Sequence, residues 1–521
     1  MNNKSILRSL LAVAASLLVL TTNSVCGAGT PLDIGSRREL FVDGFLVDQI
    51  TGKAELRLHH PVPQEIAIVH DAPWEGSGSF YHSIFKDGDR YRMYYKGFQL
   101  TMTASGKLTG THPECVCYAE SDDGIHWRKP DLSLHEFKGS KANNIVIAGG
   151  TIGKVKLDVG SPAVFKDENP NAAPDARYKA LVHSFKPHGL VAFKSADGLH
   201  WSLMSDAPVI THGAFDSQNL AFWDAHAGVY RAYWRYFTAG VTGEKNWNPG
   251  GQRAIRTATS KDFIHWENEH DLTYVDSPGE QLYTNAIKPY HRAPHVLIGF
   301  PTRYIEHGWS DSMRALPERE HRELRAKASE RYGTAISEGL FMASRDGVKF
   351  KRWNEAFLRP GIERLGTWNY GHQFIGWHVI ETKPVLEGAP NELTLYATES
   401  AWTGTSNALR RYTLRLDGFV SVNAPMSGGE LVTKPLTFKG ARLALNFATS
   451  AAGSVRVEIQ DVNGKALRGF ALEDCPPLFG DTIERAVTWE NGGDVSSIAG
   501  QPVCLCFDLQ DADVYALRFT P

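Results

Sequence analysis

Ser121-Asp122-Asp123-Gly124-Ile125-His126-Trp127 is the first of three closely related heptapeptides in this chain. The second is SADGLHW at 195–201, the third is SKDFIHW at 260–266, and a degenerate fourth copy, SRDGVKF, occupies 344–350. The copies begin 74, 65 and 84 residues apart. A repeat of this period, built around an Asp-Gly turn, indicates a fold assembled from similar β units.

Each of the first three heptapeptides follows strand-like runs that also repeat. The runs rich in Tyr and Val align at 91–96, 178–183 and 230–235, and an apolar run ending in Lys-Asp or Trp-Asp precedes each. The unit is therefore a four-stranded antiparallel meander with a hairpin between its last two strands. Such units repeated around an axis form a β-propeller. We count five blades, at about 66–142, 143–209, 210–275, 276–358 and 359–424.

Three segments do not follow the repeat. The alternating apolar residues of 39–47 predict a strand that pairs with the last blade and closes the ring. The charged segment 316–331 predicts a helix between the second and third strands of blade four, either a solvated surface helix or a lid. From about 425 the chain has short alternating strands without heptapeptides, which is typical of a separate β-sandwich. We therefore expect an all-β protein: a five-bladed β-propeller at 37–424, followed by a C-terminal β-sandwich at 425–521.

Residues 1–28 predict an export signal, because Lys4 and Arg8 flank an apolar run at 10–20 that is too short to span a bilayer. Cys26 leaves a lipoprotein anchor as an alternative. We expect an exported protein, periplasmic or extracellular, without a transmembrane segment. The formal net charge of −3 gives no reason to expect a nucleic-acid partner.

The chain has six cysteines, too few to define the fold. Cys115 with Cys117, and Cys504 with Cys506, each place two thiols on one face of a strand. We interpret these pairs as buried structural residues and not as metal ligands. In an oxidising compartment Cys475 could form a disulfide with Cys504 or Cys506.

The repeats, the Ser-x-Asp-Gly-x-x-Trp turns and the trailing sandwich resemble the five-bladed β-propeller glycoside hydrolases. That superfamily includes the β-fructosidases and levansucrases (families 32 and 68) and the arabinanases and xylosidases (family 43). The resemblance covers 37–424, and the tail resembles the sandwich that follows the propeller in β-fructosidases. The Asn-Asp-Pro-Asn and Arg-Asp-Pro stretches of β-fructosidases are absent. Candidate catalytic residues must therefore be argued from position.

The resemblance implies that the acids lie where the innermost strands begin, around the mouth of the central channel. Aligning the blades on the apolar residues near the ends of these strands brings Asp158, Asp216 and Glu280 to nearly the same height. Hydrolysis of a glycoside needs one protonated and one ionised carboxyl group, and a third carboxylate raises the pKa of the acid. We predict that these three residues are catalytic, with Glu75 in reserve. The alternative is that each caps a turn.

The second strands end on the same face, and each ends in a cation: Lys96, His183, Arg235 or Arg303. These cations favour a carbohydrate that carries carboxylate or sulfate, unless they pair with the acids just named. Further candidates for substrate contacts are residues that could stack on sugar rings or bond their hydroxyl groups. The aromatic candidates are Tyr81, Tyr283, Trp368 and Tyr370, and the polar ones are His82, Gln218, Asn219, Asn285 and His372.

The heptapeptide histidines His126, His200 and His265 lie one per blade, so they cannot converge on a metal ion, and we interpret them as structural. The reaction requires no organic cofactor, and a structural Ca²⁺ stays open without a motif to mark it. The leading prediction is an exported glycoside hydrolase acting on a poly- or oligosaccharide. A non-catalytic carbohydrate-binding propeller and a protein-interaction platform are the alternatives.

Overall fold

The computed structural model of the protein describes residues 29–521, so the predicted export signal at 1–28 lies outside the described residues. The described chain is an all-β protein whose sheets form a five-bladed β-propeller, as the repeats predict. Within the described residues no helix is long and apolar enough to cross a membrane.

The blades are antiparallel meanders that follow one another in chain order. Blade 1 contains Ser83–Asp87, Arg90–Gly97, Cys115–Ser121 and Ile145–Ala148. Blade 2 contains Gly150–Ile152, Val155–Lys166, Tyr178–Lys186, Gly189–Ser195 and Ser202–Leu203. Blade 3 contains Leu220–Asp224, Val229–Thr242, Trp247–Ser260 and Trp266–Asp271. Blade 4 contains Lys288–Tyr290, Ala293–Gly299, Met342–Ser344 and Lys349–Arg352, and Thr273–Val275 joins it in parallel. Blade 5 contains Ile380–Thr382, Glu392–Glu399, Asn407–Arg415 and Val62–His70.

The remaining elements extend or connect the blades. Two hairpins project beyond them, Leu100–Met102 with Leu108–Gly110 and Thr302–Glu306 with Ala335–Gly339. Short 3₁₀ turns lie at Pro174–Ala176 and Ser496–Ile498. The insertion of blade 4 is three short helices, α1 (Asp311–Ala315), α2 (Arg319–Ala326) and α3 (Glu330–Thr334), in the connection where the sequence predicts one helix.

The heptapeptides brace turns, as predicted, and also lock neighbouring blades. In the second copy Asp197 Oδ1 accepts the backbone N–H groups of Leu199 and His200 at 2.8 and 2.9 Å. The Tyr94 hydroxyl of blade 1 donates to the Gly198 carbonyl of that turn at 3.0 Å. Gly198 has φ +81°, and a Cβ there would lie 2.5 Å from Tyr94 Oη, so the close approach requires glycine. The same contact recurs from Tyr233 to the fourth copy at 2.8 Å.

Ring closure differs from the sequence prediction. The strand Val62–His70 pairs antiparallel with Asn407–Arg415 and completes blade 5. The segment 39–47, predicted to close the ring, instead lies in the C-terminal sheet, where Glu39–Leu40 and Val47–Gly52 find their partners. That prediction is wrong because alternation identifies a strand with one buried face and does not identify the sheet that it joins.

Blade 1 also ends later than the predicted residue 142, since its fourth strand is Ile145–Ala148. After the first heptapeptide the chain forms two isolated bridges, Glu120 with Arg128 and Phe137 with Ser140, before the fourth strand begins. The long connection that follows runs over the surface before the fourth strand begins.

The C-terminal region forms an eight-stranded sheet with the leading segment. Its strands are Glu39–Leu40, Val47–Gly52, Glu55–Leu58, Val420–Ala424, Gly429–Thr433, Arg442–Gln460, Asp481–Ala486 and Cys504–Thr520, and Leu32–Gly35 pairs alongside with Leu436–Phe438. The two longest strands run antiparallel through it, with a register shift between Thr449 and Ser454. A separate apolar core lies within this region. The two-layer sandwich and the domain borders stay predictions.

The cysteines of the propeller are buried, as predicted, with the Cys115 and Cys117 sulfur atoms 3.7 Å apart. The suggested disulfide of Cys475 is absent. Cys475 and Cys506 are buried free thiols.

We expect Asp197→Ala to destabilise the propeller by about 1–3 kcal/mol, because it removes the acceptor of several hydrogen bonds in one turn. Thermal unfolding measured by circular dichroism checks this. His200→Ala is the matched control, since its ring is 71% exposed and its pair with Asp197 is worth little. Equal melting temperatures for both variants would contradict the bracing role.

Candidate active site

One cavity, of about 160 Å³, lies at the end of the propeller where the innermost strands begin. Residues from all five blades or their connections contribute to its wall. The lining residues are Phe80, Tyr81, Lys96, Leu100, Glu114, Asp158, Gly160, Ser161, Asp216, Tyr283, Tyr370, Gly371, Phe374 and Trp402. Three carboxyl groups and several aromatic rings thus face one space, and two of these carboxyl groups, Asp158 and Asp216, belong to the predicted set.

Two carboxyl groups on neighbouring blades share a hydrogen bond. Glu114 immediately precedes the third strand of blade 1, and Asp158 lies in the innermost long strand of blade 2. Lys96 Nζ donates to Glu114 Oε1 at 2.5 Å. A Cβ on Gly160 would lie 1.8 Å from Glu114 Oε2 and 2.9 Å from Asp158 Oδ1, so only glycine leaves room for the pair.

The pKa values of the two carboxyl groups are shifted in opposite directions. Burial and, to a smaller extent, the hydrogen bond and charge of Asp158 raise the pKa of Glu114, Lys96 opposes them, and the net result is a pKa of about 7. Burial also acts to raise the pKa of Asp158, but hydrogen bonds from His183 and Glu114 outweigh it and hold that pKa well below its ordinary value. His183 Nδ1 lies 3.1 Å from Asp158 Oδ2. The pair therefore holds one proton, on Glu114, near neutral pH.

Asp216 forms the opposite part of the wall, with its side chain half-exposed to the cavity. Arg235 donates to Asp216 Oδ1 and is itself buried. The guanidinium also lies over the ring of Tyr283, 4.8 Å from its centroid. Tyr370 donates to the Tyr283 hydroxyl at 2.8 Å, and burial raises the pKa of Tyr370 well above its ordinary value. Asp216 is thus an ion-paired carboxylate beside two hydrogen-bonded phenols.

Tyr81 lies at the centre of this arrangement in a left-handed backbone conformation, with φ +59°. The side-chain amide of Gln218 donates to the Tyr81 carbonyl at 3.0 Å and to the Pro162 carbonyl at 3.1 Å. Burial, followed by the neighbouring Tyr283, raises the pKa of Tyr81 well above its ordinary value. The hydroxyl therefore stays a proton-bearing donor at the cavity.

Glu280 does not join the other two predicted acids on the cavity wall. Its carboxylate forms ion pairs with Arg303 and Arg352, each at 3.0 Å. Arg303 also contacts Glu338 at 2.5 Å. Glu280, Glu338, Arg303 and Arg352 therefore form a connected series of ion pairs beside the site. A separate groove, which Trp368 lines, adjoins these residues.

The other polar candidates are engaged within the protein. Glu75 is buried and accepts hydrogen bonds from Tyr95 and Lys129, both at 2.5 Å. His82 Nε2 lies 3.1 Å from His70 Nε2, and burial lowers the pKa of His82 well below its ordinary value. These contacts indicate structural roles inside blade 1.

The same holds for Asn219, Asn285 and His372, which lie in the connections outside the strands. The Asn219 amide donates to the Phe215 carbonyl at 3.0 Å, and Asn285 Oδ1 accepts the Ile287 N–H at 3.3 Å. His372 Nδ1 accepts the Trp368 N–H at 3.1 Å, and burial lowers the pKa of His372 to about 3. These side chains hold backbone turns at the mouth of the channel.

Two important lining residues, Glu114 and Trp402, are absent from the sequence-based set. Glu114 was missed because the alignment used only the starts of innermost strands. In an antiparallel meander the third strand begins at the same end as the first. Aligning the starts of third strands would have placed Glu114 at this mouth. Trp402 lies in an irregular turn, for which no repeat offers a register.

Among residues 29–521, no group of three or more His, Cys, Asp and Glu side chains is arranged to hold a metal ion. The heptapeptide histidines do not converge, and each bonds the aspartate of its own turn at 2.7 Å.

No family model matches this chain, and no curated protein matches it. Solved structures with low similarity do exist. One is an N-acetylgalactosamine deacetylase from F. plautii in complex with blood group B trisaccharide, with 11% identity, a TM-score of 0.39, and coverage of 69% of this chain and 94% of that one. An endo-arabinase from Bacteroides thetaiotaomicron has 11% identity, a TM-score of 0.35, and coverage of 67% and 98%. A glycosyl hydrolase from Bacteroides ovatus has 14% identity, a TM-score of 0.35, and coverage of 72% and 93%. The fold assignment rests on the strand pairings of the protein itself, and these likenesses add nothing about its activity.

The proton on Glu114 has a measurable consequence for stability. Because its pKa is raised from 4.5 to about 7, the folded state binds more protons than the unfolded state between these values. Its contribution to the free energy of unfolding is therefore lost as pH rises through this window. We expect Glu114→Gln to gain stability over the wild type, by up to about 3 kcal/mol, between pH 4 and pH 8.

Chemical denaturation at several pH values measures this difference. Glu355→Gln, which alters an exposed carboxyl group, should follow the wild type at every pH. If the free energy of unfolding changes with pH in the same way in Glu114→Gln and in the wild type, Glu114 is ionised in the folded protein.

Proposed function

We propose that the protein is a glycoside hydrolase that cleaves a poly- or oligosaccharide at the cavity where the innermost strands begin. The observation that carries this proposal is the buried Glu114–Asp158 pair, which holds one proton near neutral pH beside the carboxylate of Asp216. One protonated and one ionised carboxyl group are what hydrolysis of a glycosidic bond requires.

The three carboxyl groups divide the chemistry among them. Glu114 donates its proton to the oxygen of the departing sugar as the bond from the anomeric carbon to that oxygen breaks. Asp216 acts on the anomeric carbon, directly as a nucleophile or by taking a proton from the attacking water. Asp158 stays ionised and raises the pKa of Glu114 by like charge, a positioning role. Water supplies the hydroxyl group of the product.

The wall suits a sugar ring in two respects. Tyr283, Tyr370 and Trp402 offer ring faces or edges for stacking on C–H surfaces. The neutral Tyr81 hydroxyl and the Lys96 ammonium offer donors to sugar oxygens. Export through the signal predicted at 1–28 belongs to the same proposal, since polymeric carbohydrate is met outside the cell.

A non-catalytic carbohydrate-binding propeller is the alternative that shares most of these features. Aromatic rings and hydrogen-bond donors serve binding equally well. A binding site, however, gains nothing from a carboxyl group held protonated by burial and a neighbouring charge. Such perturbed groups are typical of catalytic sites. The platform for protein partners is disfavoured by the concave, acid-lined cavity.

We expect Glu114→Gln and Asp216→Asn each to lower kcat/KM by about 10²- to 10⁴-fold, since each removes a proton donor or its ionised partner. Release of reducing sugar from a panel of plant and algal polysaccharides measures this. Glu280→Gln is the matched control and should keep most of the activity, because Glu280 is ion-paired outside the cavity wall.

Full activity of both site variants on a cleaved glycan would place the chemistry elsewhere. Retention of glycan on an affinity gel without sugar release from any member of the panel would favour the binding alternative.

The pH profile gives a second test. We expect kcat/KM to fall above about pH 7 as Glu114 loses its proton. Asp158→Asn should move this limb to lower pH, because it removes the like charge that raises the pKa. Lys96→Met should move the limb to higher pH, because it removes the charge that opposes the rise. A limb that neither substitution moves would mean that another group is the acid.

A further inference from the structure

The side chains predicted to attract an anionic substrate already contact acids of the site. Lys96 contacts Glu114, whose hydrogen-bonded partner Asp158 carries the negative charge of that pair. His183 contacts Asp158, Arg235 contacts Asp216, and Arg303 contacts Glu280 and Glu338. They hold the acids of the site and leave little charge for a ligand. An anionic group on the substrate would need a different cation.

Arg325 in helix α2 is such a cation. Its side chain is 2% exposed, and its Nε and Nη1 atoms are buried without a hydrogen-bond partner. No carboxylate among the described residues lies in ion-pair contact with it. The neighbouring Arg322 is also buried, but it donates to the backbone carbonyls of Pro317 at 2.8 Å and of Trp368. Helix α2 thus buries one satisfied arginine and one unsatisfied arginine.

A buried guanidinium without partners is energetically unfavourable. Burial, together with the charge of Arg322, lowers the pKa of Arg325 to about 10, so the side chain stays positively charged at neutral pH. The nearby Glu318 is committed elsewhere, since its carboxylate accepts the Gly366 N–H at 2.9 Å. Buried charges in proteins are ordinarily paired, because desolvation without compensation costs several kcal/mol. No carboxylate among residues 29–521 supplies that partner at ion-pair distance.

Arg325 faces a cavity of about 300 Å³ between helix α2 and the hairpin Leu100–Met102 with Leu108–Gly110. This cavity adjoins the one that holds the carboxyl groups, because Leu100 and Trp402 line both. The Trp402 ring meets Tyr370 edge-on at 4.8 Å and forms the partition between them. The two cavities therefore lie side by side, one on each side of the Trp402 ring.

We propose that the cavity under helix α2 is an anion-binding subsite, in which Arg325 binds a carboxylate or sulfate group of an oligosaccharide whose neighbouring unit occupies the cavity of Glu114 and Asp216. A guanidinium forms charge-assisted hydrogen bonds with the oxygens of such a group, and it stays charged where a lysine would lose its proton. The assignment of the ligand as a carbohydrate rests on the proposed function. The anion-binding property does not.

Direct binding of simple anions tests the subsite without any turnover. The thermal unfolding of wild type, Arg325→Met and Arg319→Met is followed in sodium formate and in sodium sulfate at constant ionic strength. Arg319 is the control, because it lies in the same helix, is exposed, and pairs with Glu323 at 2.9 Å. We expect a saturable rise in Tm for wild type and Arg319→Met that Arg325→Met lacks. General salt effects act on all three alike.

Arg325→Met should also unfold at a higher temperature than the wild type in buffer free of these anions, because methionine removes the uncompensated charge from a similar volume. This result shows that the variant folds, so the missing anion response cannot be attributed to misfolding. An identical anion response in all three proteins would overturn the subsite.

Substrate discrimination provides the second arm. Polygalacturonate, a sulfated galactan and neutral arabinan present a carboxylate, a sulfate ester and no charge. Arg325→Met should lower kcat/KM on a cleaved anionic glycan by about 10- to 100-fold and change that on a neutral glycan by less than about twofold.

The glycan that shows the loss identifies the anion. Equal rates for the two proteins on a cleaved anionic glycan would overturn the inference and leave the hydrolase standing. An anion response that depends on Arg325, without cleavage of any glycan, would support the subsite and overturn the proposed function.

Discussion

The pairing of Val62–His70 with Asn407–Arg415 is the constraint on which the site depends. It joins the first propeller strand to the last blade, and the Asn407 amide adds a hydrogen bond at 2.5 Å to the Ser79 carbonyl, 328 residues away. Closing so long a loop is costly in chain entropy, so the closed ring must be supported by contacts between all the blades. The hydrogen bonds from tyrosines to heptapeptide turns of the next blade provide part of that support. Ring closure places Tyr81, Asp158 and Asp216 around one axis.

The heptapeptides, together with the strand-like runs around them, were sufficient to predict five blades but not the partners of the strands at the blade edges. An aspartate that accepts two successive backbone N–H groups defines a turn locally, whatever surrounds it. Strand partners between sheets are decided by tertiary packing. The alternation at 39–47 predicted one strand of the last blade, whereas the structure has the two separate strands Glu39–Leu40 and Val47–Gly52 in the C-terminal sheet. For the same reason, the fourth strand of blade 1 could not be located after the turn, because the chain first makes a long surface excursion.

The candidate site was predicted in part for a related reason. Residues at the starts of innermost strands lie at one level by register alone, which is why Asp158 and Asp216 share a cavity. Register does not state which way a side chain turns or which partner it finds. Glu280 starts its strand at the same height as Asp158 and Asp216, but its side chain contacts Arg303 and Arg352. Glu114 lies outside the repeat used for alignment, yet the perturbed carboxyl pair depends on it. The pairing of predicted cations with predicted acids was one of the two alternatives, and the contacts of His183, Arg235 and Arg303 follow it. Lys96 instead contacts Glu114, an acid outside the predicted set.

The two adjoining cavities illustrate two different responses to the burial of charge. A carboxyl group can respond to desolvation by binding a proton, because its ordinary pKa lies only a few units below neutrality. Glu114 does so, with a pKa of about 7, and the proton that it retains is the one that an acid catalyst needs. A guanidinium cannot respond in the same way, since even at a pKa of about 10 Arg325 stays charged near neutral pH. A nearby negative charge stabilises it, as Glu318 does in part. Both groups are buried at the mouth of the propeller or under its helical insertion. Burial makes Glu114 a proton donor in one cavity, and it leaves Arg325 as a binding group for an anion in the next.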